Sequence, residues 1–244
     1  MRDVLSDIVK HSYGLFDVIK IIGSEKETTL LAKDKKQVQF LSGTIKVPAP
    51  ELRGEFGISN LGLLKGLLDF PSYRSESASL TVKHRPWSGG ETVEHFEFRD
   101  GKGGRVVMRC MSPDQVAGSG LAANINWTVS VVPSKSKVAE FQQMSSLISE
   151  VDKTFGAFIQ DGNLIFSFGQ DTSSTHYATV VFAEGVDAPD GALTPGYSWE
   201  VGPFLQTLKL SAEDATVRVS ARGIISTEIE TEIGVYRYYL RASR

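Results

Sequence analysis

The chain runs through one succession of short segments twice, and this repetition limits its fold more than any single motif does. ASLTVKHR, from Ala78 to Arg85, lies without gaps over ATVRVSAR, from Ala215 to Arg222, pairing Leu80 with Val217 and Val82 with Val219. RVVMRC, from Arg105 to Cys110, lies over RYYLRA, from Arg237 to Ala242, and both arginines and the apolar residues between them are kept. Upstream, EFGISNLGLLKGLLDF (Glu55 to Phe70) answers YSWEVGPFLQTLKL (Tyr197 to Leu210). Each is a short strand, a turn, and Leu or Phe at helical spacing, with Leu63, Leu64 and Leu67 falling where Phe204, Leu205 and Leu208 fall. Three matches in one order, on either side of SPDQVAGSGLAAN (Ser112 to Asn124), mark a duplication. That middle stretch carries Pro113, Gly118 and Gly120 and no apolar run, which predicts an extended surface linker. Residues 1–111 and 125–244 are then two copies of one domain, each of ordinary domain size.

Within the first copy, Val4, Leu5, Ile8 and Val9 form the apolar stripe of a helix, with Lys10 and His11 on or near its other side. Three β-rich segments follow, then a strand leading into the Leu-rich helix, which Ser59 or Asn60 can cap. Three strands close the copy, the last two joined by the turn Asp100 to Gly104. In the second copy Ser134 or Ser136 caps a longer helix whose packing face is Val138, Phe141, Met144, Ile148 and Val151. A hairpin turns at Asp161-Gly162. The expected fold class is α+β: a duplicated domain with antiparallel sheets and two helices per copy on one face.

Chemistry is sparse. The histidines, at 11, 84, 95 and 176, lack the close spacing of a zinc site, although His84 and His95 fall on neighbouring predicted strands. Cys110 stands where the second copy has Ala242, which suits a small packing residue better than a nucleophile. No nucleophile elbow, phosphate-binding loop or dinucleotide fingerprint occurs, so neither catalysis, a cofactor nor a metal is expected. The N-terminal segment holds Asp3 and Asp7 and lacks the apolar core of a signal peptide, and no run approaches the roughly 18 apolar residues of a membrane helix. With one cysteine there is no internal disulfide, and an intracellular protein is the default.

Basic residues recur on the predicted helices: Lys10 and His11, Lys65, Lys135 and Lys137, and Lys209. Each taken alone is an ordinary solvated side chain, but Lys135 and Lys137 stand at a helix N-terminus, where the macrodipole disfavours cations. The net charge of −3 argues against grip on nucleic acid by charge alone.

A duplicated helix–strand–helix–strand unit with a mid-chain linker resembles the DNA polymerase sliding clamps, and in length and two-domain form those of T4-type bacteriophages. FGISNLGLLKGLL is similar to the passage into the second helix of the family's first domain, and SKVAEFQQMSSLISEVDKTFGAFIQDGNLIF to the opening of its second. The resemblance implies a homotrimeric ring, cytoplasmic in a host cell if viral, with helices lining a hole for duplex DNA. The six basic helix residues would then meet phosphates without reading bases. It also implies that DNA polymerase and a clamp loader bind at the linker, near Val116 and Leu121. The subunit interface would join the edge Arg105 to Met111 to the edge Thr175 to Phe182 of the next copy, through Val106, Met108, Tyr177 and Val181. Two other classes stay open: a ring-forming structural protein of phage tail or capsid type with no DNA role, and an enzyme assembled from scattered groups such as His84, His95 and Glu97.

Overall fold

A computed structural model describes residues 1–87, 90–116, 124–150, 152–169, 176–193, 196–211 and 215–243. They form two compact units: Met1–Gly120 with Thr231–Tyr236, and Leu121–Glu230 with Arg237–Arg244. In chain order, unit 1 contains α1 (Arg2–Lys10), β1 (Ile19–Gly23), β2 (Thr28–Lys33), β3 (Gln39–Ile45), β4 (Gly54–Ile58), α2 (Leu61–Asp69), β5 (Ser79–Trp87), β6 (Gly90–Arg99) and β7 (Arg105–Arg109). Unit 2 is built from β8 (Val129–Val131), α3 (Lys135–Ile148), β9 (Thr154–Gln160), β10 (Asn163–Phe168), β11 (Ala178–Ala183), β12 (Trp199–Glu200), α4 (Val201–Leu210), β13 (Thr216–Ser220) and β14 (Ile224–Glu230). The last strand, β15 (Gly234–Arg241), begins in unit 1 and ends in unit 2.

The strand orders of the two units match. Unit 1 has β4-β1-β2-β3 and β5-β6-β7; unit 2 has β12-β9-β10-β11 and the sequence-adjacent β13, β14 and β15, with β8 on the free side of β13. The described strand pairings are antiparallel. The fold is therefore α+β with four α-helices among the described residues, as the periodicities predict. Alternation does the sorting: β2, β3 and β10 bury every second residue, sending Leu30, Leu41, Leu164 and Phe166 inward.

Helix α2 buries Leu61, Leu64, Leu67 and Leu68, and α4 buries Phe204, Thr207 and Leu208. The buried faces thus equate Leu64 with Phe204, one residue from the register that sequence overlay predicts, and Leu63 is left 49% exposed. Leucines three and four apart satisfy either register in sequence; the sheet beneath selects one. Ser134 caps α3 by accepting from the Lys137 amide at 3.3 Å. Asn60, by contrast, occupies the N-cap of α2 in the left-handed region (φ 53°) and its side chain makes no cap bond.

The stretch after β7 departs from the expected extended linker. Met111 bridges to Gly57 of β4, residues 113–115 form a 3-10 turn, and Ser112 and Gln115 close a capping box around it. Val116 folds down onto Gly57, where a Cβ would meet Val116 Cγ2 at 2.3 Å. The absence of a side chain at residue 57 makes the pocket that a short apolar run could not announce.

Phe141 of α3 is wholly buried at the centre of unit 2, with the rings of Phe155, Phe166, Phe168, Phe182 and Phe204 all 5.1 to 5.9 Å away. Phe141→Ala removes the ring that the others surround and should cost about 3–5 kcal/mol by urea denaturation.

Unit 1 is closed by a polar knot. Asp7 of α1 accepts from the Tyr236 hydroxyl (2.7 Å) and from Thr231 Oγ1 (3.0 Å), so the start of β15 is tied to the first helix. His11, directly after α1, is 0% exposed and stacks on Tyr236 with centroids 3.9 Å apart. It therefore does not share the outer face of α1 with Lys10, as helical spacing suggested; the helix ends at Lys10 and the chain turns His11 underneath. Burial pushes its pKa down from 6.5 to about 4, with Asp7 opposing and Lys10 assisting. The folded state keeps the imidazole neutral where the unfolded chain already binds a proton. Stability should therefore fall as pH drops from about 6.5 to about 4, by up to about 3 kcal/mol. In His11→Phe, which can keep the stack, that part of the pH dependence of urea unfolding should vanish; an unchanged slope would contradict the assignment.

Candidate nucleic-acid interface

The helices present the basic residues in different states. In unit 1, α1 and α2 pack side by side and leave a shallow groove lined by Lys10, Tyr13, Lys65 and Asp69 among others. Lys10 is exposed. Lys65 is half exposed, with its ammonium 2.6 Å from Asp69 one turn further along α2. That contact raises the Lys65 pKa and lowers that of Asp69, first through the hydrogen bond and then through the charge. Tyr13 is 51% exposed and its ring lies over Gly62.

In unit 2, Lys135 is exposed in the first turn of α3 and Lys209 in the last turn of α4. Lys137 is 28% exposed and lies between Glu140 (3.5 Å) and Glu184 (3.4 Å), the second just past β11. Among the described residues Lys10, Lys135 and Lys209 have no such ion pair. Five of the six predicted basic residues thus reach the surface, and the sixth, His11, does not. The carboxylates that accompany Lys65 and Lys137 escaped sequence reasoning, although Asp69 at i+4 and Glu140 at i+3 are visible as spacings.

The strands predicted to form the subunit interface both lie at sheet ends: β7 in the order β5-β6-β7 and β11 in the order β11-β10-β9-β12. On β7, Val106 is half-buried and Met108 turns inward at 3% exposure, so its opposite face carries Arg105, Val107 and Arg109. Tyr177, just before β11, is 45% exposed and Val181 is half-buried. Near the linker, Val116 is 9% exposed in its seat on Gly57, and Leu121 lies outside the described residues.

Of the groups weighed for chemistry, Glu97 and Cys110 are disfavoured by their surroundings. Glu97 is clamped between Arg105 (2.6 and 3.0 Å) and Arg99 (2.5 Å), whose hydrogen bonds hold its pKa down at about 2, too low for a general base at neutral pH. Glu228 is held in the same way by Arg218 and Arg237 in unit 2. Burial pushes the Cys110 thiol up to about 12, so it stays protonated. His84 and His95 lie on paired strands, with His95 beside Glu94, but no cluster of three or more His, Cys, Asp or Glu suited to a metal occurs among the described residues. No helix among them is long and apolar enough to cross a membrane.

No family model matches the sequence, and no curated protein matches it. Solved structures do match, over the whole chain. Proliferating Cellular Nuclear Antigen (PCNA) from Entamoeba histolytica superposes with a TM-score of 0.66 at 14% identity, covering 100% of this chain and 96% of that one. A. fulgidus PCNA, solved with the C-terminal region of FEN-1 bound, gives 0.67 at 10% identity and the same coverages. PCNA from Thermococcus kodakaraensis gives 0.66 at 11%, covering 100% and 97%. At such identities the likeness is one of fold: this chain has the DNA clamp fold, α+β with antiparallel sheets and four helices, matched to PCNA from end to end.

Proposed function

We propose that this protein is a sliding clamp, which encircles duplex DNA as a ring and holds a replicative DNA polymerase on its template. The observation that carries the reading is the whole-chain match to PCNA, since the two-unit architecture is matched in full and not as an isolated domain. The domains are residues 1–111 and 125–244, joined by the linker 112–124. Three copies close the ring head to tail, as in the clamps of T4-type phages, with β7 of one copy beside β11 of the next. Such a contact between unlike edges satisfies both open strands and closes when the rotation fits.

Duplex DNA meets the helices through Lys10, Lys65, Lys135, Lys137 and Lys209 in a sequence-independent, salt-sensitive contact. The role is tethering, not catalysis. A ring stays on DNA by topology, so a chain of net charge −3 needs little attraction inside. Polymerase and clamp loader dock by peptide segments at the linker, around Val116 and Leu121. The C-terminal region of FEN-1 bound to A. fulgidus PCNA supports the reading that a protein of this fold takes segments of its partners. The ring works in the cytoplasm, that of the host cell if the protein is viral.

Changing Lys10, Lys65, Lys137 and Lys209 together to Glu should abolish processive synthesis on primed DNA while leaving the circular dichroism spectrum and melting cooperativity intact. Full processivity in a folded variant would remove the helix-lined channel.

A further inference from the structure

Two of the five surface lysines already have a carboxylate in hand, and both pairs stand where helix electrostatics would not put them. Asp69 is the last residue of α2, where the negative end of the macrodipole repels an acid. Lys65 precedes it at i,i+4, the weaker of the two orientations for such a pair. Lys137 is in the first turn of α3, where the positive end repels a cation; Glu140 flanks it within the helix, and its second partner, Glu184, comes from outside. Helix stability therefore does not account for Lys65–Asp69 or Lys137–Glu184. Packing does not either: Lys65 and Asp69 are 51% and 58% exposed, and Glu184 is 71% exposed.

Resting on the clamp reading, we propose that Asp69, and Glu184 together with Glu140, are built-in counter-charges that hold Lys65 and Lys137 back from the phosphate backbone, so that the ring grips duplex DNA weakly enough to slide. A phosphate oxygen that reaches Lys65 must displace a carboxylate oxygen of similar charge and hydrogen-bonding capacity. The exchange is nearly balanced, and each step along the backbone resembles the last. Lys10, Lys135 and Lys209, which have no ion pair among the described residues, supply the net attraction. Each unit thus combines at least one free lysine with one restrained lysine. The device also fits the charges carried by the helices of unit 1: α1 holds Arg2 and Lys10 beside Asp3 and Asp7 in sequence, and on α2 Lys65 pairs with Asp69. All these groups except the partly buried Asp7 are on or near the surface.

The test compares wild type with Asp69→Asn, with the pair Glu140→Gln and Glu184→Gln that releases Lys137, and with all three changes together, using fluorescence anisotropy with a 30-base-pair duplex over a series of salt concentrations. Freeing a lysine adds roughly one phosphate contact, so the slope of log K against log salt should steepen by about 0.9 per released lysine, with affinity at low salt rising several-fold. Pairing Asp69→Asn with Lys65→Met should return the slope to that of wild type. Unchanged slopes in all three carboxylate variants would overturn the proposal. Retention of wild-type protein on circular but not linearised duplex in gel filtration separates the two levels. If wild type is retained on circular DNA and the variant slopes are flat, the counter-charge idea alone fails. If wild type shows neither circular retention nor salt-dependent affinity, the clamp reading fails and takes this inference with it.

Discussion

An antiparallel sheet that stops leaves a row of backbone N–H and C=O groups facing outward, and β7 and β11 are two of the strands at which the sheets of this chain stop. Protein sheets seldom leave such rows open, because an unpaired edge recruits whatever strand arrives. Blunting by charge is incomplete: β7 carries Arg105 and Arg109 on one face, but Val107 stands between them, and β11 is the apolar run ATVVFA. Both edges belong to sheets whose inner faces are already covered within their own units, so nothing about folding a single copy requires them to be open. In the proposed ring they pair with each other between copies, which would turn a one-chain liability into an assembly rule.

Charge follows a similar logic. A protein with 26 basic and 29 acidic residues cannot hold DNA by a general field, and its helices correct this only slightly, because acids balance the bases on α1 and α2 and leave one unmatched lysine each on α3 and α4. A static binder built this way would be poor. A ring is not, since topology supplies residence and the contact needs only to centre the duplex. On the last three strands of each unit the carboxylates Glu97 and Glu228 each offset one of two flanking arginines.

Local periodicity made much of the fold legible. The stripe of Val4, Leu5, Ile8 and Val9 gave α1, the Asp161-Gly162 turn gave the β9–β10 hairpin, and two gapless overlays with a third, looser match gave the repeated order of elements. Identities of 10 to 14% with PCNA show how few letters this requires. What stayed hidden depended on residues distant in sequence. His11 looked like a surface cation until Tyr236 covered it, 225 positions away. The seat of Val116 depended on the missing side chain of Gly57, and the inward turn of Met108 on how β7 pairs with β6. At the candidate interface the lysines were visible one by one, whereas the restraint of Lys137 by Glu184 joins residues 47 apart and needed the folded chain.

Native mass measured by multi-angle light scattering over a range of concentrations tests the ring most directly. The paired-edge assembly predicts a species near three times 26.7 kDa that dissociates on dilution without populating larger polymers. A mass of 26.7 kDa at every concentration, or open-ended growth in place of a closed trimer, would contradict it.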